Sequence, residues 1–186
     1  MRKIQYTSRF FKWVFIIAFI ILPITLIVFW YKAPWPMAIK AAHYGINLSY
    51  MPKLPPHAHI ADSFSMTTKL LGFMISLIPM TINLSVLYLL IRLFNNFERS
   101  AIFALKNVRY CRWIGYALFI GQVLNPIHEL LLSMAVTWQN PPGERIASLS
   151  FSGSNVGILL LALLIILISW IMGEAYKLKD EQRYTV

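Results

Sequence analysis

Long stretches without charge alternate with short basic segments along this chain of 186 residues. Three stretches have no charged residue, and a fourth has only Glu129: 13–31, 70–91, 146–173 and, with that one carboxylate, 113–143. Each supplies the ~20 mostly apolar residues that an α-helix needs to cross a bilayer. Helices are expected because lipid offers no hydrogen-bond partner to an open backbone. The pattern therefore predicts an all-α integral membrane protein, built as a four-helix transmembrane bundle.

The expected architecture is one membrane domain over residues 1–186. We predict spans at about 13–31, 70–91, 113–137 and 155–174, outer loops at 32–68 and 138–154, a cytoplasmic loop at 92–112 and a cytoplasmic tail at 175–186. The first span has the basic start of a signal peptide. Its apolar run is too long for one, however, and no convincing small-residue cleavage site follows. We expect it to remain as an uncleaved anchor.

The distribution of Lys and Arg predicts the orientation of the chain. Twelve of the 17 lie in three segments, with four in 1–12, five in 92–112 and three in 175–186. Basic residues accumulate on the cytoplasmic side of membrane proteins. Both termini and the middle loop are therefore expected in the cytoplasm.

Composition narrows the class of protein further. The chain is 58% hydrophobic and 13% charged, too few charges to cover the surface of a soluble globule of this size. The net charge of +10 lies beside apolar runs, which favours anionic lipid headgroups as its partners and argues against direct nucleic-acid binding. One cysteine, Cys111, excludes an internal disulfide and a cysteine-built metal site.

The long outer loop contains a weak metal-binding pattern. His57, His59 and Asp62 are close together in sequence and are ligand types that zinc and copper use. Two histidines and one aspartate do not complete a site, and five prolines indicate a solvated loop without a long helix. We predict no metal and no cofactor.

Polar residues recur at helical spacing inside two spans. Those of the third span are Gln122, Asn125, Glu129 and Ser133, and those of the second are Gly72, Ser76, Pro79 and Asn83. A spacing of three or four places each set on one helical face. Because polar groups are costly in lipid, the simplest packing turns the two faces toward each other.

Glu129 has two interpretations. Lying about eight residues from the outer end of its helix, it is roughly 12 Å deep. It is either a proton or ion site shared with His128, or a protonated, hydrogen-bonded carboxyl that fixes helix packing. The adjacent position of His128 turns its ring off the polar face, which favours the structural interpretation. A nucleophile with its base, a glycine-rich phosphate loop and a His-x-x-x-His pair are all lacking, so an enzyme is not expected.

The middle loop combines basic and apolar residues. Asn95 and Asn96 favour a turn, and Asn107 is suited to cap the third span. The loop is either an interfacial turn or a docking surface for a partner. The candidate partner-binding residues are Arg99, Ile102, Phe103, Asn107, Val108, Arg109 and Arg112.

Two segments resemble a known family. The loop matches at Phe97, Ile102, Phe103, Asn107, Val108, Arg109, Arg112, Ile114 and Gly115, and the tail at Ala175, Leu178, Lys179, Glu181, Gln182, Thr185 and Val186. The chain thus resembles the bacterial membrane family known as the domain of unknown function 2975, from which it departs at Ser100, where glycine is usual. The resemblance implies about four spans and no assigned chemistry. Members of that family are often encoded beside a small helix-turn-helix DNA-binding protein.

Two hypotheses of function follow. The first is a non-enzymatic regulator in the bacterial inner membrane, whose cytoplasmic face binds such a helix-turn-helix protein. The alternative is a small proton- or ion-linked transporter or channel subunit that uses Glu129, Asn125, Gln122 and Asn83. A chain of this size is too small to enclose a pathway alone, so the alternative predicts an oligomer.

Overall fold

The protein is all-α across the residues that its structure, a computed structural model, describes: 2–32, 64–99, 104–149 and 153–184. These ranges contain no strand and four helices: α1, Arg2–Lys32; α2, Met66–Glu98; α3, Leu105–Thr137; and α4, Gly153–Tyr184. Each helix is long and apolar enough to cross a membrane. The predicted fold class is confirmed, and the chain is a multi-pass membrane protein.

The helices extend beyond the predicted spans, most of all around the predicted loop at 92–112. This segment is helical up to Glu98 and again from Leu105. The predicted turn at Asn95 and Asn96 is therefore wrong, because both residues lie inside α2. The predicted tail is likewise helical as far as Tyr184.

The described residues form two compact units. The first comprises Met1–Ile20, Ile82–Gln122 and Gly153–Val186, so all four helices contribute to it. Close packing in this unit depends on small residues. A Cβ added at Gly115 would lie 2.5 Å from Ile166 Cγ1 and 3.1 Å from the carbonyl oxygen of Ala162. Glycine at this position therefore lets α3 approach the backbone of α4.

The second unit comprises Ile21–Thr81 and Val123–Ser152. Its α1 and α2 segments meet at Trp30, which is 3% exposed. The indole Nε1 donates a 3.1 Å hydrogen bond to Ser76 Oγ, and Ser76 in turn donates 2.7 Å to the carbonyl oxygen of Gly72. The indole packs against Gly72, where an added Cβ would lie 2.0 Å from Trp30 Cη2.

Candidate functional site

In the first unit, an acidic residue joins α1 to the last turn of α2. Glu98, the last residue of α2, accepts a 2.8 Å hydrogen bond from Arg9 Nε through Oε1. Its other carboxylate oxygen, Oε2, accepts a hydrogen bond from Lys12 Nζ. Two cations, one turn apart on α1, thus share one carboxylate. Lys12 and Glu98 are both largely covered, which reduces the screening of this pair by solvent.

An aromatic cluster lies beside this ion pair. The ring of Phe94 on α2 lies 5.5 Å from that of Phe11 and 5.4 Å from that of Phe15, both on α1. The ring of Phe97, also on α2, lies 5.7 Å from that of Phe94. These separations are typical of favourable aromatic pairs. The cluster and the ion pair together hold α1 against the end of α2.

A pair of amide side chains joins α2 to α3. Asn96 Nδ2 donates a 2.7 Å hydrogen bond to Asn107 Oδ1, and the Asn107 side chain is fully buried. The backbone N–H of Asn107 donates to the carbonyl oxygen of Ala104 at 2.8 Å, inside the first turn of α3. Capping of α3 was predicted for Asn107, which lies two residues after the start of this helix. Its side chain joins α2 to α3.

Arg112 and Val108 pack toward α4. A Cβ added at Gly173 would lie 3.6 Å from Val108 Cγ1 and 3.8 Å from Arg112 Nη2. Val108 is buried, and Arg112 is half-buried. Arg112 Nε is buried and has no hydrogen-bond partner among the described residues. Both side chains therefore contribute mainly to the interior of this unit.

The candidate partner-binding residues thus divide by exposure. Asn107 and Val108 are buried and hold the connection in place, while Arg99 and Arg109 are exposed. Lys106 is a third exposed cation at the same connection, although it was not among the predicted partner-binding residues. Ile102 and Phe103 lie outside the described residues. We call the set Arg99, Lys106 and Arg109 the basic face.

The intramembrane polar residues of α3 include one internal hydrogen bond. Asn125 Nδ2 donates to Glu129 Oε1 at 3.3 Å, one helical turn away. Glu129 is 5% exposed and His128 2% exposed, so both adjacent side chains are buried. Both ring nitrogens of His128 are buried without a hydrogen-bond partner in the part of the chain that is described. The second unit therefore buries a carboxyl and an imidazole side by side.

The other predicted intramembrane residues have separate surroundings. Ser76 bonds to Trp30 of α1, as described above, whereas we had expected its polar face to meet α3. Gln122 is half-buried, and its Oε1 has no hydrogen-bond partner among the described residues. Asn83 is half-buried on α2. The structure therefore defines no single site that contains all six predicted intramembrane residues: Ser76, Asn83, Gln122, Asn125, His128 and Glu129.

Two hydroxyl groups of α3, those of Ser133 and Thr137, bind the segment after this helix, a role that was not predicted from the sequence. Ser133 Oγ accepts a 2.9 Å hydrogen bond from the Ser148 N–H, and Thr137 Oγ1 accepts one of 3.0 Å from the Ile146 N–H. Both hydroxyls also donate to helix carbonyl oxygens. Helical spacing from Ser133 to Thr137 was the available signal. The segment after α3, which contains Ile146 and Ser148, is thus held by hydrogen bonds along the last turns of α3.

Metal binding has no support in the described residues, where no three His, Cys, Asp or Glu side chains gather to hold an ion. The weak candidates His57, His59 and Asp62 lie outside the described residues.

Four helices that are long and apolar enough to cross a membrane define the class as a multi-pass α-helical membrane protein. The chain belongs to the family described as protein of unknown function (DUF2975), which matches residues 50–186. The resemblance noted in the loop and the tail is confirmed. The match covers α2, α3 and α4, while α1 precedes it. No curated protein and no solved structure matches the chain.

Proposed function

We propose that this protein is a non-enzymatic regulator of the bacterial inner membrane that binds a small helix-turn-helix DNA-binding protein through its basic face. The observation that carries the proposal is the exposure of Arg99, Lys106 and Arg109 next to the hydrogen bond between Asn96 and Asn107. Because this hydrogen bond joins the end of α2 to the start of α3, ordering these two helix ends costs little entropy when a partner binds.

The orientation of the chain supports this proposal. The first unit contains the N-terminal segment, the α2–α3 connection and the end of α4, which together have twelve of the 17 Lys and Arg residues. By the positive-inside rule, this end and both termini face the cytoplasm, where a soluble DNA-binding protein is available.

Charge complementarity indicates how the partner binds. A basic face attracts an acidic patch on the partner and repels its DNA-binding helix, which is itself basic. Capture in this orientation holds the bound protein at the membrane with its DNA-binding helix turned away from the basic face. The family resemblance adds the frequent encoding of a helix-turn-helix protein beside members of this family.

The identity of the partner is tested by affinity capture. We would tag the full chain in its native host, extract it in mild detergent and identify bound proteins by mass spectrometry. The proposal predicts one small DNA-binding protein in near-equal amount. An oligomer of this chain with no soluble protein bound would contradict it.

One observation favours a second candidate function, a proton- or ion-linked transporter. His128, with both ring nitrogens unpartnered in the described residues, lies buried beside Glu129 and its donor Asn125. Buried ionisable groups in membrane helices often lie on proton or ion pathways. On this hypothesis, Glu129→Gln abolishes proton flux in liposomes, whereas Glu144→Gln, the same change at an exposed position of the same unit, leaves it intact. Equal flux from both variants would exclude Glu129 from a pathway.

A further inference from the structure

An apolar groove of about 480 Å³ lies between α2 and α3 in the first unit. Its lining is almost entirely carbon: Ile82, Leu89, Trp113, Tyr116, Ala117 and Ile120. Trp113, Tyr116 and Ile120 are exposed. In a membrane protein such a groove faces the acyl chains of the surrounding lipid.

Two contacts fix the register of α2 against α3 along this groove. Asn96 bonds to Asn107 at one end, and Ile82 Cγ2 lies 3.1 Å from the Cβ position of Gly121 at the other. Ile82 and Asn96 are fourteen residues apart, as are Asn107 and Gly121. The helices therefore run antiparallel in one continuous register.

This register places two arginines at the same level. Counting from Asn96 and Asn107, Arg92 lies opposite Cys111, two residues from Arg109. Two residues of helix amount to ~3 Å along the axis. Both arginines are exposed. The Cα positions of the two arginines therefore lie at nearly the same level on the two helices that form the groove.

Each arginine also lies near the lining of the groove along its own helix. Arg109 precedes Trp113 by four residues and Tyr116 by seven, which is the spacing of one helical face. Arg92 follows Leu89 by three. Arg92 is held in place by Tyr88, whose hydroxyl accepts a 3.0 Å hydrogen bond from Arg92 Nε and whose ring centroid lies 5.2 Å from the guanidinium carbon.

An apolar groove with an arginine one helical turn beyond its lining on each helix matches the two parts of an anionic phospholipid. The acyl chain fills the apolar lining, and arginine forks bind phosphate oxygens in bidentate geometry. Trp113, at the charged end of the groove, is a residue type that favours the level of the headgroups. A second copy of this chain related by a twofold axis along the membrane normal would bring the arginines of both copies to one level, where like charges repel.

We propose that this groove binds one anionic phospholipid, with its acyl chain along Leu89, Trp113 and Ile120 and its phosphate held by Arg92 and Arg109. The proposed lipid site shares Arg109 with the basic face. Arg92 belongs to the lipid site alone, and Arg99 and Lys106 belong to the basic face alone. Selectivity for the anionic headgroup distinguishes this site from general solvation by lipid.

The test is competitive lipid binding to the purified full chain, measured by native mass spectrometry. Phosphatidylglycerol and phosphatidylcholine with identical acyl chains are offered in equal amounts. The wild type is expected to retain phosphatidylglycerol. In Arg92→Gln/Arg109→Gln the preference should fall on the order of tenfold, because each cation near the membrane surface contributes to anionic lipid attraction. The charge-matched control, Arg99→Gln/Lys106→Gln, should keep the preference.

A second readout locates the lipid and separates binding from misfolding. Phosphatidylglycerol brominated in its acyl chains should quench tryptophan fluorescence more than brominated phosphatidylcholine, and Trp113→Phe should remove most of that difference. Unchanged size-exclusion profiles would establish that the variants fold. Equal retention of both lipids by the wild type, equal losses in both double variants, or a dimer that closes the groove would overturn the proposal. None of these results would contradict the proposed binding of a DNA-binding protein to the basic face.

Discussion

Asn96 Nδ2 donates a 2.7 Å hydrogen bond to Asn107 Oδ1, joining the last turns of α2 to the first turn of α3. Asn107 is fully buried and Asn96 is half-buried, so this bond is partly shielded from competing water. The pair fixes the separation and register of the two helices beneath the basic face. The positions of Arg99 and Lys106 follow from it.

Asn107→Ala should therefore destabilise the protein. The change leaves Asn96 Nδ2 without its acceptor. Because Asn96 is half-buried and water can partly replace that acceptor, the loss should be about 1 kcal/mol. Unfolding of the purified protein by titration with a denaturing detergent measures the free-energy change. Lys106→Ala, one residue away and exposed, serves as the control and should have little effect. Equal stability of Asn107→Ala and the wild type would contradict a structural role for this pair.

Gly72→Ala should be destabilising for a steric reason. The new Cβ would lie 2.0 Å from Trp30 Cη2, and forcing extra atoms into such a contact costs about 1–3 kcal/mol. Gly157→Ala is the matched control, because nothing lies within 4 Å of its Cβ position. Alanine also favours a helix over glycine, so the control should be neutral or stabilising.

Trp30→Phe tests the same contact from the other side. The smaller ring lacks Cη2, so Gly72→Ala should cost less in the Trp30→Phe background than in the wild type. A double-mutant cycle in the same unfolding titration measures this coupling. Additive effects of the two changes would contradict the contact between Trp30 and Gly72.

The helical class and number of spans were predictable because uncharged stretches of about 20 residues are a strong signal in lipid. The ends of the helices were less predictable. Asn95 and Asn96 are common in turns, yet Asn96 lies inside α2, where its side chain is paired with Asn107. A contact between residues 11 positions apart overrides local preference, and sequence alone does not reveal it.

The candidate sites were predictable only in part, for a similar reason. Helical spacing identified Glu129 and Asn125, whose side chains are hydrogen-bonded. It also suggested that Ser76 faces α3, whereas the partner found is Trp30 of α1. Polar spacing indicates which residues share one face of a helix. Which neighbouring helix covers that face depends on packing, here on the glycine at 72.

Thr137→Val should loosen the segment that follows α3. Valine keeps the shape of threonine but cannot accept the 3.0 Å hydrogen bond from the Ile146 N–H. A net hydrogen-bond contribution of about 0.5–1.5 kcal/mol corresponds to roughly two- to tenfold faster amide exchange. Hydrogen–deuterium exchange of a peptide that contains Ile146 measures the effect. Thr67→Val, at an exposed position, is the control; similar exchange at Ile146 in both variants would contradict the assigned bond.

The most direct test of the proposed function is the capture of the DNA-binding partner by charge variants of the basic face. Arg99→Glu reverses an exposed charge that contributes to no ion pair found in the described residues. Lys3→Glu makes the same reversal at another exposed position of the first unit. We would measure the amount of partner retained per tagged chain in mild detergent. The account predicts loss of most of the partner in Arg99→Glu and retention in Lys3→Glu, with both variants folded. Full retention in Arg99→Glu would contradict it.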